Sequence, residues 1–221
     1  MRVVVTGASG ALGRAVVEAF ANRGDHVAAI DLRSCTSFPD TVSQIVSADL
    51  ADPDTALSAM ADAAASLGGI DVLVHLVGGF EWIPVDRSCR DTWRRLFSEN
   101  VETTLGAIQA ALPKLGDGGS ILCVGAASAQ PAGAGMAPYA AAKSGVARLV
   151  EALSSELKPR GIRVNAVLPA IIDTPRNRAD MPDADPVTWT TPAAIADVIL
   201  FLTSIQARAI NGALIPVTNN G

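Results

Sequence analysis

The amino-acid sequence predicts an α/β fold: one domain spanning residues 1–221, built as a doubly wound parallel sheet of about seven strands with helices on both faces. Three observations predict it. Short apolar runs alternate with helical patterns along the whole chain, the signature of repeated strand–helix units. The strands are apolar at nearly every position, as expected where both faces of a sheet are buried. A glycine-rich turn joins the first strand to the first helix.

The elements follow in order. Residues 2–6 form a β-branched strand, and residues 14–23 a helix with Ala15, Val16, Ala19 and Phe20 on one face. Gly24 stops that helix, and residues 26–32 form the second strand. Further strands are predicted over 44–48, 72–76, 120–124, 163–168 and 213–217. Helices are predicted over 54–67, 89–115, 139–157 and 192–202. The longest irregular segment, about 170–191, is rich in Pro, Asp, Asn and Arg; a loop of that length in a compact domain is usually functional and reads as a substrate lid.

Composition narrows the function. With 49% hydrophobic and 18% charged residues, the chain can bury a large core. A net charge of −5 without a Lys/Arg cluster argues against a nucleic-acid partner. Cys35, Cys89 and Cys123 are scattered and odd in number, which predicts reduced thiols rather than a disulfide framework or a metal site. His26 and His75 are too few, and too far from other ligand types, to suggest a metal. The first residues lack a signal-peptide pattern and no apolar stretch is long enough for a membrane span, so a cytoplasmic protein without a membrane partner is expected.

Two motifs carry chemistry. Gly7, Ser9, Gly10, Ala11, Leu12 and Gly13 lie between a strand and a helix. Glycines there let main chain approach a pyrophosphate, whose charge is favoured by the helix N-terminus. The other reading is a tight turn with no ligand. Asp31 ends the next strand, 18 residues after Gly13, where a dinucleotide fingerprint needs an acid. Its carboxylate would accept both ribose hydroxyls and repel a 2′-phosphate, so NAD(H) is favoured; Arg33 nearby leaves NADP(H) open. Asp49, followed by Leu50, either binds an adenine amino group or caps a helix. The second motif is Tyr139 and Lys143, four residues apart. On a helix both point from one face, with Cβ atoms roughly 6 Å apart. A cation beside the phenol favours the phenolate and is expected to lower its pKa toward the working range. The same spacing also occurs on solvated helix faces.

Together, Thr6-Gly7-x-x-Gly10-x-x-Gly13 and Tyr139-x-x-x-Lys143 resemble the short-chain dehydrogenase/reductase family. The likeness covers essentially the whole chain, with support from Asp71-Val72-Leu73-Val74, Asn100, the segment from Arg163 to Pro169, and Asn211-Gly212-Ala213. It implies a Rossmann-type domain in which Tyr139 is the general acid–base. Lys143 holds the nicotinamide ribose and lowers the Tyr139 pKa, and Asn100 orders a water linking Lys143 to solvent. Gly78 and Gly79 would let the chain pass the cofactor, and Pro169, Ile171, Ile172 and Thr174 would cover the nicotinamide. The matching helices of the family form a two-fold interface, so a homodimer or homotetramer is expected.

The departures point to one subgroup. Where the family has Asn-Asn-Ala-Gly, this chain has His75-Leu76-Val77-Gly78-Gly79-Phe80. The substrate-orienting serine, thirteen residues before the tyrosine, is Ala126; Ser128 either substitutes or is solvated. These features and the loop from Leu168 to Thr190 resemble the dihydropteridine reductases, although Asn100 does not match that subgroup. The expected function is hydride transfer from NAD(P)H to a small quinonoid, pterin-like or carbonyl substrate. The alternatives are a general short-chain carbonyl or 3-hydroxyacyl reductase or dehydrogenase and, more remotely, a non-catalytic cofactor-binding regulator. Phe80, Trp82, Met136 and Trp189 are candidate walls of a flat apolar slot, or aromatics that pack the lid. Arg176 and Arg178 either meet an acidic substrate or lie on a solvated face.

Overall fold

The structure, a computed structural model, describes residues 1–46 and 49–218. Its single sheet has seven parallel strands: β1 (Arg2–Thr6), β2 (His26–Asp31), β3 (Ser43–Val46), β4 (Ile70–His75), β5 (Leu115–Val124), β6 (Arg163–Pro169) and β7 (Leu214–Val217). The spatial order is β3-β2-β1-β4-β5-β6-β7, so the winding reverses between β1 and β4. A crevice opens beyond the carboxyl ends of the strands at such a reversal, and ligands bind there in open α/β sheets.

The alternation of side chains sorts the core into two layers. Val4, Ala28, Leu73 and Ile121 face one side, where they meet α2 (Pro53–Leu67), α4 (Thr103–Ala111) and α5 (Ala137–Glu156) through Met60, Ile108 and Val146. Val3, Val5, Val74 and Leu122 face the other, against Phe20 of α1 (Ala11–Asn22) and Ile195 and Ile199 of α7 (Pro192–Thr203). Fully burying a Val, Leu, Ile or Phe side chain contributes about 1.5–3 kcal/mol, so the two layers dominate the stability of the sheet.

Helix starts divide into two kinds. Asp52 caps α2 by accepting from the Thr55 amide at 2.8 Å, and Thr191 caps α7 by accepting from the Ala194 amide at 3.2 Å. Helix α1 starts at Gly10 with no side-chain cap and no acidic residue in its first turn.

Several boundaries depart from the sequence expectation. The helix expected over 89–115 is broken. It runs as α3 (Arg90–Phe97), then a π-helical turn (Ser98–Glu102), then α4, and Leu115 already belongs to β5. Three side chains bond main-chain carbonyls in and around the widened turn: Asn100 Nδ2 to Leu96 O at 2.8 Å, Thr103 Oγ1 to Glu99 O at 2.8 Å and Thr104 Oγ1 to Asn100 O at 2.5 Å. Such π turns loosen the regular ladder and are frequent at functional sites. The segment expected to be irregular over 170–191 contains α6 (Pro175–Asp180), capped by Thr174, and a short 3₁₀ turn (Pro186–Thr188). The last two residues of the strand expected over 44–48 lie outside the described residues.

Candidate active site

One half of the crevice is made of main chain. Gly7 leaves β1 with φ +68°, a left-handed conformation that favours glycine. A Cβ on Gly13 would overlap the carbonyl oxygens of Gly7 and Ala8, so only glycine lets α1 start this close to the strand. Asp31, at the end of β2, accepts from the Ser9 amide at 2.9 Å and from the Leu32 amide at 2.7 Å, which ties the glycine turn to the next strand. Asp49 accepts from the Ala51 amide at 2.8 Å, while the cap of α2 is Asp52, so the helix-cap alternative for Asp49 does not hold. Gly7, Ser9, Gly10, Asp31, Asp49, Leu50, Gly78 and Thr103 line a cleft of about 310 Å³. The cradle that a Cβ would fill, the uncapped helix start and the carboxylate at the strand end fit a dinucleotide.

The other half, a cleft of about 280 Å³, sets side chains against the far end of the same glycine turn. It is lined by Ala11, Leu12, Gly13, Gly79, Phe80, Tyr139, Lys143, Pro169, Ile172 and Thr174, and it shares Gly7, Gly10 and Gly78 with the first. Tyr139 and Lys143 project from the first two turns of α5. Pro138 lies in the first turn of that helix, where its missing N–H costs nothing. Lys143 is buried, and its Nζ donates to Val124 O at 2.9 Å at the end of β5. The Tyr139 ring meets Phe80 edge-on, with centroids 4.9 Å apart and an interplanar angle of 86°. Asn100 is fully buried; its Nδ2 donates to Gly79 O at 3.0 Å and to Leu96 O, while its Oδ1 has no partner among the described residues. A Cβ on Gly78 would lie 2.7 Å from Asn100 Oδ1 and 3.0 Å from Lys143 Nζ, so glycine is what brings these groups to one spot.

Burial rather than ion pairing sets the protonation states. Desolvation pushes the Tyr139 phenol up to about 12, the opposite of the expected lowering by Lys143. The Lys143 ammonium is turned toward Val124 O and is itself pulled down to about 8 by burial. At neutral pH the phenol therefore carries its proton and Lys143 is mainly charged. His75, which replaces the first Asn of the family pattern, is fully buried at the end of β4, with Nδ1 2.8 Å from Thr6 Oγ1. Burial, and secondarily Lys143, holds its pKa down to about 3, so it stays neutral. Cys123, paired with His75 across β4 and β5, is buried and pushed up to about 12. This polar file behind Lys143 was not anticipated, and the sequence signal for it was the departure at His75.

Other expected residues fall elsewhere. Arg33 and Ile171 do not line the crevice, and neither do Ser128 and Ala126. Ala126 is buried and brings no hydroxyl to the site. Trp189 is 5% exposed and packs inside the lid, whereas Phe80 and Trp82 are exposed. Arg176 pairs with Asp180 and Arg178 with Asp173 at the lid surface. The three cysteines are free thiols, two of them buried. Among the described residues no helix is long and apolar enough to cross a membrane.

The sequence profile of the enoyl-(acyl carrier protein) reductase family matches residues 7–219. L-rhamnose 1-dehydrogenase (NAD(P)(+)) of Azotobacter vinelandii is 32% identical, over 96% of this chain and 92% of that protein. The 2-(R)-hydroxypropyl-CoM dehydrogenase of Xanthobacter autotrophicus is 31% identical, over 95% and 94%. Among solved structures, a short-chain dehydrogenase/reductase described as a glucose/ribitol dehydrogenase, from Brucella melitensis, superposes with a TM-score of 0.90 at 31% identity, covering 99% of this chain and 95% of that one. These relatives are not specific for pterins, and the likeness to dihydropteridine reductases finds no support among them. With the parallel sheet, the glycine crevice and the Tyr139–Lys143 pair in place, the chain belongs to the short-chain dehydrogenase/reductase family and is an NAD(P)-dependent oxidoreductase.

Proposed function

We propose that the protein is a general short-chain carbonyl reductase or alcohol dehydrogenase acting on a small molecule, with NAD(H) favoured over NADP(H). The observation that carries this reading is the placement of Tyr139, with its proton held at neutral pH, in the same crevice as the glycine turn. Gly7, Ser9, Gly10, Ala11, Leu12 and Gly13 would hold the pyrophosphate. Asp31 would take the ribose hydroxyls, and Asp49 and Leu50 the adenine. Gly78, Gly79, Pro169, Ile172 and Thr174 would flank the nicotinamide. The bound cofactor supplies or accepts the hydride. Tyr139 then gives its phenolic proton to the substrate oxygen in reduction; in oxidation its phenolate form takes the proton of the alcohol. Lys143, anchored on Val124 O, would hold the nicotinamide ribose. Asn100 would hold Gly79 and present its unpartnered Oδ1 to a proton path from Lys143. The exposed apolar residues Trp93, Phe97 and Leu105 on α3 and α4 support a homodimer, or a tetramer built from it. A cytoplasmic location is part of the same reading.

One observation favours a second reading. Ala126 leaves the substrate oxygen without the hydroxyl donor usual in the family. A missing donor of this kind costs on the order of 10²–10³ in rate where charge develops on one oxygen. A quinonoid or pterin-like acceptor, which spreads that charge, would lose less. The deciding experiment is steady-state NADH and NADPH oxidation with a panel of ketones, sugar lactones and quinonoid dihydropterin, and the reverse reaction with alcohols and aldoses. Under the main reading the carbonyl or alcohol substrates turn over, and Tyr139→Phe lowers kcat by about 10²–10⁴ with the cofactor Kd unchanged. Turnover confined to dihydropterin would replace it with the second reading. Binding of NADH with no turnover of anything would point instead to a non-catalytic regulator.

A further inference from the structure

Among the described residues the Tyr139 hydroxyl has no hydrogen-bond partner, and Lys143 turns away from it to Val124 O. Packing alone therefore sets the orientation of the ring. Its aromatic contact is Phe80, edge-on with centroids 4.9 Å apart. Phe80 lines the same cleft but is 56% exposed, and it lies in a segment without regular secondary structure, from Gly78 to Pro84. Something other than burial has to hold it in place.

The residues on either side of Phe80 are both fastened to one guanidinium. On the upstream side, the Glu99 carboxylate lies so close to Gly79 that a Cβ there would overlap Glu99 Oε2 and Cδ. Arg95 of α3, one turn before Glu99, donates from Nη1 to both Glu99 oxygens, at 3.0 and 3.2 Å. Asn100 grips the same glycine from its other side, through Gly79 O. On the downstream side, Nη2 of Arg95 pairs with Glu81. Farther along, Trp82 Nε1 donates to Ala134 O at 3.0 Å and its indole covers Gly135, which ties the segment to the loop before α5. The planar fork of an arginine serves two carboxylates at once in fixed geometry, which a lysine ammonium does not. An isolated exposed ion pair contributes little to stability. Here one arginine restrains both neighbours of a ring that touches Tyr139, so its effect falls on position.

We infer that Arg95 is a positioning residue: acting through Glu81 and Glu99, it holds Phe80 against Tyr139 and so fixes the ring that transfers the proton. This rests on the proposed role of Tyr139 as the acid–base group.

Tyr139 is the single tyrosine of the chain, so its ionisation can be read in the intact protein without any substrate. Protein labelled with carbon-13 at tyrosine Cζ gives one resonance, whose shift reports the phenolate fraction, while circular dichroism at the same pH checks the fold. With its pKa pushed up to about 12 by burial, the wild-type phenol should stay almost wholly protonated at about pH 10.5. Arg95→Met, which keeps an apolar stem and removes the fork, should raise the phenolate fraction at that pH about fivefold. Its kcat should fall about tenfold, with the NADH Kd within about twofold of wild type. Arg95→Lys should fall between the two. Arg94→Met, which removes the neighbouring guanidinium paired with Asp91, should change neither readout. Glu81→Gln weakens one end of the bridge without touching α3; it should act in the same direction by about twofold, and it decides the matter if Arg95→Met does not fold. An unchanged Tyr139 titration, an equal change in Arg94→Met, or a shifted titration with kcat unchanged in an active protein would overturn the inference. A shifted titration in a protein that turns over no alcohol or carbonyl would leave the hold on Tyr139 standing and remove the proposed function.

Discussion

The two halves of the crevice are made of different materials. The glycine half holds its shape through main chain: a left-handed Gly7, a Gly13 with no room for a methyl group, and the Asp31 carboxylate bonded to the turn. The Tyr139 half holds its shape through buried polar side chains, among them Asn100, Lys143 and His75, each bonded to a neighbouring strand or turn. The first half should be sensitive to added volume and indifferent to pH. The second should respond to pH and tolerate small steric changes at its rim.

The largest effect that separates them is expected at Gly13. Gly13→Ala puts a Cβ against the carbonyls of Gly7 and Ala8, which forces the backbone apart at a cost of about 1–3 kcal/mol. Isothermal titration should show that much loss in NADH affinity, with the pH profile of the remaining activity unchanged. A shifted profile would mean that the halves are mechanically coupled.

The pH effect comes next. Lys143 is depressed to about 8 by burial, so its charge is present below that pH and is lost above it. The Tyr139 proton stays on until about 12, and His75 does not take up a proton until about pH 3. Reductive kcat/KM should therefore be level from pH 6 to 7.5 and fall roughly tenfold per unit above about 8, while the NADH Kd stays nearly constant. A fall centred near pH 6.5 would contradict the neutral state of His75.

The smallest effect is at Asp31. Asp31→Asn keeps an acceptor for the Ser9 amide and removes the charge. The ratio of NADPH to NADH affinity should rise by about 1 kcal/mol, near fivefold, with little change in Tm. A large drop in Tm would show that the carboxylate acts mainly as a brace for the glycine turn.

The same division explains what could be read from the amino-acid sequence. The sheet, its layers and the glycine half were legible because they follow from local rules: β-branched runs, a glycine pattern after a strand, an acid at the end of the next strand. The Tyr139–Lys143 pair was legible as spacing, but its electrostatics were not. Whether a lysine lowers a neighbouring phenol depends on how deeply both are buried and where the ammonium points, and here it points to Val124 O. The π turn at Asn100 was hidden in an uninterrupted helical pattern, because what stabilises it is a side-chain bond to Leu96 O and a contact with Gly79 on another segment. The pinning of Trp82 on Gly135 joins residues 53 positions apart, and no periodicity reports such a contact. The resemblance to dihydropteridine reductases rests on Gly78-Gly79-Phe80, on Ala126 and most specifically on the lid, and such loops vary more among relatives than the elements they connect.

Helix α1 begins at Gly10 without a side-chain cap, whereas α2 and α7 carry their own. A helix start left in this condition makes the native state depend on what the surrounding solution offers. Any anion held there and not by the unfolded chain adds RT ln(1 + [L]/Kd) to stability, about 2.7 kcal/mol at a hundredfold excess over Kd. Degradation in a cell draws on the opened population of a protein, which shrinks by the same factor. If a nucleotide occupies the glycine turn, the lifetime of this chain is expected to follow the supply of that nucleotide as well as the rate of its own synthesis.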